Sequence, residues 1–128
     1  MAYMNQQRKA ERAPVIKAIC QRYGVKATLS VRNHMTLVLT IKQGKIDFLG
    51  NYNRVTGRSA ERSLDVNPYW YQDHFDGEAK EFLKEVIAAM YGADYYDRSD
   101  AMTDYFDTSH YIDINIGRWN APYALVKA

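Results

Sequence analysis

Residues 94–123 read DYYDRSDAMTDYFDTSHYIDINIGRWNAPY. The run opens with five aspartates, Asp94, Asp97, Asp100, Asp104 and Asp107, and then becomes a strand. There His110, Ile112, Ile114 and Ile116 alternate with Tyr111, Asp113 and Asn115, the two-residue period of a half-buried strand. One face is apolar and needs a core. The other is polar, and Asp113 stands on it where it can meet an arginine. Gly117 to Asn120 reads as a bend, and Pro122 keeps the last segment out of a central strand position.

Upstream, residues 77–92 (GEAKEFLKEVIAAMYG) change to the helical period. Ala79, Phe82, Leu83, Val86, Ile87 and Met90 share a face, with Asp76 as N-cap and Gly92 as the stop. A first helix runs from Ala13 to Tyr23. Val15, Ile16, Ile19, Cys20 and Tyr23 lie on one side, Pro14 suits its first turn, and Gly24 ends it. Residues 1–12 are polar and basic and read as a frayed start. Between the helices, residues 26–49 alternate as strands, with turns at Asn33-His34 and Gln43-Gly44 and a short third strand over Lys45–Leu49. Residues 50–75 lose all periodicity and read as a long loop.

The fold class that follows is α+β. A small antiparallel sheet of three or four strands carries the Ala13–Tyr23 and Glu78–Tyr91 helices on one face. The 128 residues fit a single domain, long enough to bury a core. The single cysteine, Cys20, excludes an internal disulfide and falls on an apolar helix face, as a buried inert thiol. No window approaches the ~18 apolar residues of a membrane span, and no apolar leader segment follows the N-terminus. The expectation is a cytoplasmic protein with no membrane partner. Its oligomeric state stays open.

The net charge of +2 conceals a division. Residues 1–64 carry twelve Lys and Arg against three Asp and Glu, whereas residues 65–128 carry five against twelve. Either the halves neutralise each other in the fold, or they present a basic surface for phosphate and an acidic one for a basic partner. Eleven tyrosines suit either a half-buried rim or a wet contact surface.

Two clusters are candidates for binding. The loop joins Arg54, Arg58 and Arg62 to the aromatic run Tyr69-Trp70-Tyr71, a composition that grips phosphate and stacks bases. It is equally that of a protein–protein hot spot. Asp97, Asp100, Asp104 and Asp107 are spaced to share a helical face, where like charges need a cationic partner. The calcium-loop pattern is absent, which leaves two carboxylates on Mg²⁺ as the open metal reading. His34, His74 and His110 have no zinc-ligand spacing, and no GxSxG, P-loop or GxGxxG occurs. His74 and His110 are the candidates for a general base. No cofactor is called for, and the balance is against an enzyme.

Four motifs carry a resemblance: NYN (51–53), NPYW (67–70), YDRSDAMTDYFD (96–107) and YIDINIGRWNAPY (111–123). Together they resemble a group of short proteins from bacteriophages and mobile elements, and a domain associated with large polyvalent phage and plasmid proteins. The similarity spans about residues 15–123. It implies no activity, only a context in which small proteins bind host machinery, CRISPR effectors among it. Three hypotheses follow. The first is an interaction protein that blocks a bacterial nucleoprotein complex, with Asp97, Asp100, Asp104 and Asp107 and the anchors Trp70 and Tyr71 at the contact. The second is a nucleic-acid-binding accessory protein using Arg54, Arg58, Arg62 and Tyr69. The third is a metal-dependent hydrolase using Asp104, Asp107 and His110.

Overall fold

Asn5 sets the start of the first helix. It is extended, and its side-chain oxygen accepts the Arg8 N–H at 2.8 Å, so α1 runs Gln6–Tyr23. In the computed structural model, which describes residues 4–60, 62–92, 110–118 and 120–125, the helix thus begins well before Ala13. The stretch read as frayed is anchored from Met4 onward. Met4 is fully buried, and its N–H donates to the His34 carbonyl at 2.7 Å. Apolar periodicity missed these turns because a polar cap and the buried Arg12 hold them.

Pro14 consequently lies in the helix interior, not in its first turn. There it removes one backbone hydrogen bond and crowds the preceding turn. Pro14 is exposed, so nothing packed depends on its ring. Replacing it by alanine should stabilise the fold by about 1 kcal/mol, the restored helix outweighing the more flexible unfolded chain. A urea midpoint equal to or below that of the parent would contradict this.

Gly24 closes α1 in the left-handed region at φ 69°, as its place after the last periodic residue predicts. The hairpin of β1 (Val25–Arg32) and β2 (Thr36–Gly44) follows, with antiparallel pairing from Val25↔Gly44 to Arg32↔Thr36. Asn33 and His34 make its turn, both at positive φ, and the Met35 N–H closes it on the Arg32 carbonyl at 3.2 Å.

Beyond β2 the structure departs from a meander. Asp47 accepts the Gly50 N–H at 2.9 Å and caps α2 (Phe48–Thr56), so Lys45–Leu49 is no strand. The stretch read as a long loop holds most of α2, then β3 (Leu64–Val66) and α3 (Tyr71–His74). Then come α4 (Gly77–Tyr91), β4 (Tyr111–Ile116) and β5 (Ala124–Leu125). The strand order is β1-β2-β4-β3, with β5 also against β2. The class is α+β, but the sheet is mixed. β2 and β4 run parallel, from Thr36↔Tyr111 to Ile41↔Ile116, while β3 is antiparallel to β4. Alternation is the same in both kinds of pairing, so the sequence pattern does not separate them. A parallel neighbour requires a long crossover, and α2, β3, α3 and α4 fall within it.

The core lies between the sheet and the helices. Leu37, Leu39, Ile41, Ile114 and Ile116 face the six α4 residues expected to be buried, and all six are. Ile16, Ile19 and Cys20 of α1 complete it. Burial pushes the Cys20 thiol up to about 11, as expected of an inert thiol. Phe48 at the head of α2 meets Phe82 at 5.6 Å and Tyr123 at 5.5 Å between ring centres. The Tyr123 hydroxyl donates to the Ile46 carbonyl at 2.6 Å, and its burial raises its pKa above the ordinary value. Gly117 ends β4 at the expected bend. At φ 72°, any Cβ there would lie 2.5 Å from the Tyr123 nitrogen.

Candidate binding surface

The NYN motif lies on α2 and its two asparagines each hold a stretch of main chain. Asn51 accepts the Asp76 N–H at 3.0 Å and donates to the Asp76 carboxylate at 2.7 Å. Asn53 accepts the Ala60 N–H at 2.7 Å and donates to its carbonyl at 2.8 Å. Between them, Tyr52 packs its ring against His74 and Phe75. The motif is therefore a clamp that ties the following loop and the start of α4 to α2.

This clamp engages the arginines. Arg54 forms an ion pair with Asp76, and the Arg58 guanidinium donates to the Tyr52 hydroxyl at 3.3 Å. Arg62 is exposed, and its carbonyl accepts the Tyr123 N–H at 3.0 Å. Asp76 is the N-cap residue of α4 as expected, but its carboxylate turns to Arg54 and Asn51 instead of capping. Arg54 first, then Asn51, holds the Asp76 carboxyl below its usual range. A depressed carboxylate stabilises the fold fully above the unfolded value of about 4 and less as pH falls through the folded value. In the variant Arg54→Ala, the Asp76 titration midpoint read by NMR should rise toward the ordinary range. An unmoved midpoint would refute the assignment.

The NPYW motif makes a turn. The Asn67 side-chain oxygen accepts the N–H groups of Tyr69 at 2.8 Å and Trp70 at 3.2 Å, with Pro68 preset for the second turn position. The turn throws Tyr69 and Trp70 outward, 73% and 59% exposed, and folds Tyr71 inward, 7% exposed. Tyr71 is thus a core residue and not a surface anchor.

Tyr69 lines a cleft of about 470 Å³ with Asp65, Val66, Asn67, Pro68, Tyr91, His110, Tyr111 and Ile112. It opens because β3 pairs with β4 only at Ile114–Ile116 and then turns away through Asn67. Tyr111 is 48% exposed at its edge. Tyr91 and His110 are its inner wall, and in sequence they bracket the aspartate-rich segment. Asp97, Asp100, Asp104 and Asp107 lie outside the described residues.

No family model, curated protein or solved structure matches this chain. The site is therefore read from its own chemistry. His110 is fully buried. Its Nε2 meets the Met90 carbonyl at 2.9 Å and its Nδ1 lies 3.4 Å from the Arg8 guanidinium. A carbonyl only accepts and a guanidinium only donates, so Nε2 carries the proton and both nitrogens are engaged. That removes His110 from the general-base role considered from sequence. His74 is packed edge-on to Tyr52. Among the described residues no group of three His, Cys, Asp or Glu is placed to hold a metal ion, and no helix is long and apolar enough to cross a membrane.

The structure brings Tyr69, Tyr111 and Asp65 together, a grouping missed in the sequence. Tyr111 was legible as an outward strand residue. Asp65 was hidden because β3 has only three residues. Arg32 and Asp113, on the polar face of the sheet, meet at 2.9 Å, as the alternation allowed.

Proposed function

We propose that this chain is an interaction protein from a phage or mobile element that blocks a bacterial nucleoprotein complex of the CRISPR-effector kind, acting in the host cytoplasm without catalysis. The observation that carries the reading is the cleft of exposed tyrosines whose inner wall, Tyr91 and His110, brackets the aspartate-rich segment in sequence. That chain order joins an aromatic contact surface to a concentrated negative charge. Aromatic residues anchor interfaces, and a negative surface steers toward a positive one. Asp97, Asp100, Asp104 and Asp107 would pair with basic residues that otherwise hold nucleic acid, and Trp70 with Tyr69, in place of Tyr71, would supply the apolar anchors. The nucleic-acid reading has less support, because Arg54 is committed to Asp76 and Arg58 to Tyr52.

The test is capture from lysates of bacteria carrying such complexes, followed by affinity measurement on the captured complex. Tyr69→Ala with Trp70→Ala should weaken binding at least ten-fold, and Asp100→Lys with Asp104→Lys likewise. Unchanged binding in both variants would reject this reading. A complex with RNA or DNA alone at low salt, weakened by Arg58→Glu and Arg62→Glu, would replace it with the nucleic-acid reading.

A further inference from the structure

Among the described residues charge pairing leaves Glu11, Asp65, Asp73, Glu78 and Glu81 without a cation, and of these Asp65 has the aromatic setting. Glu85, Asp113 and Asp76 each hold an arginine, namely Arg22, Arg32 and Arg54. The Asp47 carboxylate caps its own helix. Asp65 lines the tyrosine cleft, and among the described residues its carboxylate meets no donor. The other polar groups there are largely spent. Asn67 uses its oxygen on the turn, and His110 has both nitrogens engaged. Among the described residues no lysine or arginine lines the cleft. It offers a carboxylate, three tyrosine rings and, at Tyr69 and Tyr111, hydroxyls with no partner among the described residues.

The backbone adds a further element. The N–H groups of Tyr111 and Gly117 donate to the carbonyls of Met35, just before β2, and Ile41 within it. Successive residues of a strand point their N–H and C=O groups to opposite edges, so those of Ile112 point away from β2. β3 covers that edge only at Ile114 and beyond, and Ile112 lines the cleft. Among the described residues one rung of the sheet is open there, beside the Asp65 carboxylate.

We infer that the cleft is the receptor for an arginine side chain within an extended segment of a basic protein partner. This rests on the reading above and names the chemistry the partner must present. A guanidinium stacks on tyrosine faces and makes paired hydrogen bonds to a carboxylate. The peptide on either side of it has the Ile112 N–H and C=O to pair with. A cleft of about 470 Å³ is in the range of ligand sites. Phosphate finds no lining cation among the described residues.

The test is an NMR titration of the full chain with the blocked tripeptide acetyl-Ala-Arg-Ala-amide. Parallel arms use its norleucine and glutamate counterparts and inorganic phosphate. The arginine peptide should shift the amides of Asp65, Tyr69 and Ile112 and saturate, while the other three leave them in place. Asp65→Asn, whose uncharged side chain keeps the shape, should weaken the arginine peptide about ten-fold with an otherwise unchanged spectrum. Equal shifts from the norleucine peptide, shifts from phosphate, unchanged affinity in Asp65→Asn, or no shift with the arginine peptide would each overturn the inference. Any of these leaves the interaction reading standing if the Tyr69 and Trp70 variants still lose the captured partner. If those variants capture normally while the arginine peptide binds, the reading falls and the receptor site remains.

Discussion

Replacing Arg12 by methionine should destabilise the protein by about 3 kcal/mol or more. Arg12 is a buried residue of α1 whose guanidinium reaches across to the end of α4. Its Nε donates to the Met90 carbonyl at 3.1 Å, and its other nitrogens donate to Tyr91 at 2.9 Å and Arg8 at 3.2 Å. The last carbonyls of a helix have no partner within it and carry the negative end of its dipole. Arg12 supplies both the donors and the charge. Gly92 leaves the room: a Cβ there would lie 2.7 Å from the guanidinium. Methionine fills much of the same volume but takes the donor from the Tyr91 carbonyl and leaves the Met90 carbonyl to His110 alone, and a buried group that loses its donor costs about 1–3 kcal/mol, more when the lost donor is charged. Lysine keeps the charge without the planar fork, so Arg12→Lys should recover less than half of the loss. Urea denaturation of the three proteins measures this. A loss under 1 kcal/mol for the methionine variant would show that the clamp is incidental.

The elements most legible in the sequence were those held by apolar periodicity. α4 was read to within a residue because six apolar side chains repeat at helical spacing and all are buried. β4 and the hairpin were read because alternation and an Asn-His turn are local signals. What escaped was held by polar side chains. The first turns of α1 depend on Asn5 and Arg12, and α2 on Asp47 and two asparagines. A binary apolar pattern registers none of these. The parallel β2–β4 pairing also escaped, since it is set by the chain between them and not by either strand.

The candidate surface was legible to a similar degree. Tyr69 and Trp70 were singled out by composition and are exposed, but the third aromatic of the run is core. An unbroken run of three cannot all face outward once a turn is followed at once by a helix. The Arg54–Asp76 pair also qualifies the division of charge. Arg22, Arg32 and Arg54 of the basic half meet Glu85, Asp113 and Asp76 of the acidic half. Part of the asymmetry is thus neutralised within the fold, and Asp65 lies outside that neutralisation.

The NYN clamp carries the second large effect. Asn51→Ala removes the acceptor for the Asp76 N–H and the donor to its carboxylate. Asn53→Ala frees both main-chain groups of Ala60. Each change should cost about 1–2 kcal/mol, and the double variant about 2–4 kcal/mol, because the two side chains hold different segments. Asn51→Asp separates this account from a simple loss of packing. It keeps the size but replaces the amide donor with a second carboxylate beside Asp76. Like charges at that distance repel, so the aspartate variant should be less stable than the alanine variant at neutral pH and should gain on it as the carboxyls protonate below about pH 4. Thermal unfolding at pH 7 and at pH 3.5 reads both effects. An aspartate variant as stable as the parent at neutral pH would mean that the Asn51–Asp76 contact does not hold α4 in place.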